Sequence, residues 1–238
     1  YSGLFGHHRA CSGTDYGHFL WPERACNEHR IRASWVHRRH RKVRHPDERG
    51  REKMRVFLNP GHAPGGEPDP GAVNNATSLR ECDVAISVGK SAASYLNAAG
   101  VETALLQSDS LEEICEAANT SGADVFVSIH CNSANAEKAN GTETWACAGS
   151  YRGSMLADCI QNQLVDALDT TDRGVKIATP GVNGLYVLTN TDMPAVLVEL
   201  AFISNPCDEE ILANNHDDLA RAVARGITDY EQKILGGN

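Results

Sequence analysis

From Met54 onward the apolar residues fall into two alternating patterns. Short runs rich in apolar and β-branched residues, "RVFLNP", "VETALLQ", "ADVFVSIHC" and "TETWAC", read as strands. Between them lie longer stretches with helical spacing: "SLRECDVAISVGKSAASYLNAAG", ended by Gly100, "LEEICEAANTSG", closed near Gly122, and a segment from about Arg152 to Leu168. "GLYVL" and "AVLVELAF" are expected as further strands, and helices near Asp208 to Ala213 and His216 to Tyr230 end the pattern. Strands alternating with helices predict an α/β fold, because parallel neighbours need crossover connections. The expectation is a single domain with a mostly parallel twisted sheet flanked by helices on both faces.

Upstream of Met54 the pattern stops. Residues 1–53 hold twelve Lys and Arg against six Asp and Glu, with seven of the ten histidines, whereas the rest of the chain is strongly acidic within a net charge of -9. The basic segment has no sustained period and no secretory apolar core, so it reads as an unstructured extension, residues 1–53, ahead of a folded domain, residues 54–238. A basic arm for wall polymers or nucleic acid is the functional alternative. Because "GREKM" suits a purine-rich ribosome-binding site before a start codon, translation is expected to begin at Met54. No run of about 18 apolar residues exists for a transmembrane helix, and the acidic domain argues against nucleic acid as a partner.

The candidate chemistry lies at strand ends, where ligands of parallel sheets bind. His62 follows the first strand and opens the loop "HAPGGEPDPGAV", whose prolines at 64, 68 and 70 exclude a helix. His130 ends "ADVFVSIH", Glu199 ends "AVLVE", and Glu81 sits in the first turn after the loop. Two imidazoles and a carboxylate suit Zn²⁺ with one position left for water, and a second carboxylate can take that water's proton. Each residue also has a structural reading. His62 can cap loop carbonyls, His130 can be a satisfied core histidine, and Ser78-x-x-Glu81 matches a capping box. Glu199 resists such a reading, since burying an unpaired carboxylate costs several kcal/mol. The cysteines form no C-x-x-C pair and suggest a reduced compartment, and alternation turns Cys131 away from His130.

"NPGHAPGGEPDPGA", "LRE", "GADVFVSIHCNS", "GTE" and "VLVELAFISNP", in this order, resemble the family 3 zinc-dependent N-acetylmuramoyl-L-alanine amidases over Met54 to about Tyr230. The resemblance implies one zinc held by His62, Glu81 and His130, with Glu199 as the catalytic glutamate. Asn132 and Phe202, in two of these motifs, are expected to contact substrate. The implied reaction is hydrolysis of the amide between the lactyl group of N-acetylmuramic acid and L-alanine of the stem peptide. Asn59, Gln107, Ile114 and Ala201 depart from the family's usual residues, which touches the surroundings of the site and not its ligands. The short loop Asn132 to Asn140 leaves little room for an autoinhibitory helix.

The expected partner is peptidoglycan, with the oligomeric state open. Without an export signal, the implied location is the cytoplasm until release, as for a phage or prophage lysin. A zinc peptidase cutting within the stem peptide and a non-catalytic wall-binding module are the competing readings.

Overall fold

The computed structural model describes residues 53–136 and 138–236, so the basic extension and the start at Met54 lie outside the described residues apart from Lys53 and Met54 themselves. Six strands form one sheet: β1 (Arg55–Pro60), β2 (Glu102–Leu105), β3 (Val125–Asn132), β4 (Thr142–Cys147), β5 (Asp172–Ala178) and β6 (Ala195–Phe202). Six helices connect and cover them: α1 (Glu81–Ala98), α2 (Leu111–Ser121), α3 (Tyr151–Leu168), α4 (Tyr186–Asn190), α5 (Pro206–Asn214) and α6 (His216–Gly236). The strand order is β2-β1-β3-β6-β4-β5. Every pairing is parallel except β4 with β6. β4 and β5 therefore run opposite to the other four strands, which brings their amino ends to the edge where β1, β3 and β6 end.

Strand alternation sorts the core into two layers. Val127 and Ile129 of β3 and Val198 and Leu200 of β6 face α1, α3 and α6, joining their residues in one apolar cluster. Phe57, Phe126 and Leu197 face the shorter α2 and α4, with the Phe57 and Phe126 rings stacked at 5.8 Å. Toward the carboxyl ends of β3 and β6 this second face turns polar, through Ser128, His130, Asn132 and Glu199. The site forms where this face's apolar packing ends.

Two expectations are corrected. "GLYVL" contributes to the helix α4, with Val187 and Leu188 buried, because so short an apolar run has no period to separate strand from helix. The strand beside β4 is instead Asp172–Ala178, an edge strand whose mostly half-exposed residues lack a strong apolar run. Among the described cysteines, 82, 115, 131, 159 and 207 are free thiols.

Candidate metal centre

β1 delivers His62 to the sheet edge. The Gly61 N–H donates to Ile129 O at 2.9 Å, and His62 adopts φ 64°, turning the chain off the sheet. Such a left-handed conformation is uncommon outside glycine. The loop then folds back, placing Asp69 Oδ2 2.7 Å from His62 Nδ1, while Asp69 Oδ1 accepts from the Gly71 N–H at 2.9 Å. This leaves His62 Nε2 directed at Glu81 Oε1, 3.0 Å away.

Glu81 begins α1, but not as part of a capping box. Ser78 has φ 63° and lies outside the helix, Arg80 occupies the N-cap position, and no side chain caps the helix there. The buried Glu81 carboxylate is committed elsewhere. Oε2 accepts from the Ala72 N–H at 2.8 Å, and Oε1 accepts from the Cys131 N–H at 2.9 Å while lying 2.8 Å from His130 Nδ1. Burial alone would raise its pKa, yet the hydrogen bonds and charges of His130 and His62 win and hold it well below the usual carboxylate range. Burial likewise opposes protonation of His62, but Glu81 and Asp69 outweigh it and raise that ring to about 9.

One ligand atom from each of His62, Glu81 and His130 lies within 4.8 Å of the others, and the imidazoles meet edge to face at 5.0 Å. Glycines make the approach possible. A Cβ on Gly71, at φ 69°, would lie 2.5 Å from His62 Cδ2 and 2.7 Å from Glu81 Oε2, and one on Gly61 would strike the His130 ring. Two borderline nitrogen donors and one carboxylate oxygen around a common point fit Zn²⁺.

Glu199 is the register partner of His130 on the neighbouring strand. Its Oε2 is sealed from solvent and takes no hydrogen bond among the described residues. Burial pushes its carboxyl up to about 7, against the pull of His130 and with added repulsion from Glu81 and Glu143. Cys131, on the other face, is buried, and its thiol is pushed well above its ordinary value by that burial. It is not one of the three clustered metal donors.

Asn132 Nδ2 donates to Glu143 Oε1 at 3.2 Å. A register shift between His130 and Asn132 gives β6 an extra residue, so Phe202 pairs with Asn132. Phe202 is almost fully buried, with the Arg173 guanidinium 4.7 Å above its ring. Among the departures from the family pattern, Asn59 is satisfied by Ser128, Leu106 and Pro60, and Ile114 is buried in the α2 layer. Gln107 Nε2 donates to both Gly61 O and Cys82 O at 3.0 Å, clasping the backbones that carry His62 and Glu81.

Strand-end reasoning missed Asp69, Glu143 and Arg173. Asp69 was visible as the one aspartate in the loop after His62. The other two sit at the amino ends of β4 and β5, and only the reversal of those strands brings them to the site.

The sequence profile of the N-acetylmuramoyl-L-alanine amidase family matches residues 56–229. The chain is 39% identical over 188 residues to the uncharacterized protein YqiI of Bacillus subtilis, covering 75% of this chain and 85% of that one. It is 38% identical over 186 residues to the N-acetylmuramoyl-L-alanine amidase LytC of the same organism, covering 74% of this chain and 35% of LytC. The crystal structure of N-acetylmuramoyl-L-alanine amidase from Clostridium difficile 630 superposes with a TM-score of 0.67 at 31% identity, covering 76% of this chain and 97% of that one. With the fold, the clustered His62, Glu81 and His130 and these matches in agreement, the chain belongs to the N-acetylmuramoyl-L-alanine amidase family of peptidoglycan hydrolases.

Proposed function

We propose that the protein cleaves the amide between the lactyl carbonyl of N-acetylmuramic acid and the amine of L-alanine in the bacterial cell wall, with His62, Glu81 and His130 holding one Zn²⁺ and Glu199 as general base. The observation that carries this reading is the pairing of a three-residue donor cluster with a neighbouring carboxylate whose Oε2 is buried and unpartnered. When bound, zinc supplies Lewis acidity, making water acidic enough to attack near neutral pH and withdrawing charge from the amide carbonyl.

The chain's own residues do the rest. Asp69 fixes the His62 ring through Nδ1, leaving Nε2 as the donor, and the Ala72 and Cys131 amides fix the Glu81 carboxylate. Glu199, beside His130, takes a proton from the attacking water and delivers it to the departing L-alanine amine, which must be protonated to leave. Its raised pKa makes it ready to return the proton, and a cation in the donor cluster favours its ionised form at the start of the cycle.

The test is mass spectrometry of fragments released from defined peptidoglycan, with and without prior metal removal. A new L-alanine amine, an intact lactyl carboxylate and loss of cleavage on chelation are the expected results. Cuts within the stem peptide would make it a peptidase, and binding without any released fragment would make it a wall-binding module.

A further inference from the structure

The rim of the site beside Glu199 is built from residues that the cleavage chemistry does not use. Glu143 stands directly opposite Glu199 in the antiparallel pairing of β4 with β6. Its carboxylate is buried and accepts from Asn132 Nδ2 at 3.2 Å, Trp145 Nε1 at 3.1 Å and Arg173 Nε at 2.7 Å.

Arg173 reaches this position through a bulge. Thr142 pairs with Asp172 and Thr144 with Val175, so β5 spends one extra residue here, and Gly174 takes φ 75°. Bulges with a left-handed glycine re-aim the neighbouring side chain. The guanidinium is then held on two sides, by Glu143 at Nε and by the Phe202 ring beneath it. Nη1 makes one long contact, 3.4 Å to Asn140 O, and Nη2 donates to no protein group among the described residues. A third of the side chain is exposed, at 34%. A cation needed only to neutralise Glu143 requires neither a bulge nor an Nη2 left without a protein partner among the described residues. Stacked and fixed, this fork has the geometry that recognises a carboxylate.

Distance sets which carboxylate. β5 lies two strands from β6, on the order of 10 Å at the usual strand spacing, but Arg173 Nε reaches the Glu143 carboxylate on β4, which brings the head to about one strand spacing, roughly 5 Å, from β6. An extended peptide advances about 3.5 Å per residue, so a stem lying across β4 from the cleaved amide brings the residue after L-alanine under the guanidinium.

We propose that Arg173 is a specificity-determining residue that binds a free carboxylate on the stem residue following L-alanine, favouring stems with that carboxylate over amidated ones. The inference rests on the amidase reading above.

The test uses two muramyl peptides identical except for a carboxylate or a carboxamide at that residue, cleaved by the zinc-loaded full chain. Wild type is expected to favour the carboxylate by about 10- to 100-fold in kcat/KM, the scale of one charge-assisted hydrogen bond. Arg173→Gln should bring the ratio close to one, mainly through a raised KM for the carboxylate form. The ratio compares two substrates on one preparation, so partial unfolding of the variant does not alter it. A purely structural Arg173 would lower both activities and leave the ratio unchanged, which overturns the proposal, as does a wild type indifferent to the two. If wild type frees no L-alanine amine from either peptide, the amidase reading itself fails.

Discussion

Replacing Glu199 by Gln separates a catalytic carboxylate from a structural one, because the two readings give opposite signs for stability. In the metal-free protein burial raises the Glu199 carboxyl from 4.5 to about 7. The folded protein therefore binds a proton that the unfolded chain releases between those values. Stability from this group is fully present below the unfolded pKa and declines as pH rises, until the penalty levels off above the folded pKa. At about 1.4 kcal/mol per unit, the full penalty is about 3 kcal/mol. Glutamine does not ionise and escapes it. The stability of Glu199→Gln relative to wild type should accordingly improve by about 2–3 kcal/mol between roughly pH 5 and pH 8, whatever the fixed cost of the amide. Urea denaturation of chelated protein at both pH values measures this. Turnover per folded, zinc-loaded molecule should fall by roughly 10² to 10⁴, as for removal of a general base, with zinc content kept. A stability difference that does not change with pH, or wild-type turnover per folded molecule, would refute the reasoning.

Three further outcomes follow from the geometry. Glu81→Gln puts an amide donor against either the Ala72 or the Cys131 N–H; stability should drop by about 1–3 kcal/mol, read by thermal melting, with zinc retention also weakened, and an unchanged melting temperature would contradict the assigned bonds. Because Glu81 and Asp69 hold the metal-free His62 protonated up to about pH 9, zinc must displace a proton, so affinity measured against a competing chelator should rise about tenfold per pH unit toward that value and then flatten; a flat profile from neutral pH would show that Glu81 and Asp69 do not hold His62 protonated. Gly71→Ala should abolish zinc binding while the sheet stays folded by circular dichroism, since the new methyl carbon occupies the space beside His62 and Glu81; normal zinc content would disprove the close approach.

The alternation of short apolar runs and amphipathic stretches was enough for the α/β architecture, and the strand ends were enough for His62, His130 and Glu199, because a strand's period of two and its terminus are local properties. "AVLVELAF" illustrates this, as its unbroken apolar run leaves Glu199 as the one charge to be explained. Glu81 was found in the sequence with two roles open. The choice depended on partners far along the chain, with Cys131 fifty residues away, and Ser78 in a left-handed conformation settled that no capping box forms.

What tertiary structure alone decided is the other half of the site. Parallel or antiparallel pairing leaves little trace in a single strand's sequence, because direction is set by what the strand lies beside. The reversal of β4 and β5 brought Glu143 and Arg173 to the edge occupied by strand carboxyl ends, and bulges in β5 and β6 aimed Arg173 and Phe202. A bulge is a mismatch between two strands and exists only once both are paired. The clustered donors His62, Glu81 and His130 could thus be read from the chain, whereas the rim beside Glu199 had to await the assembled sheet.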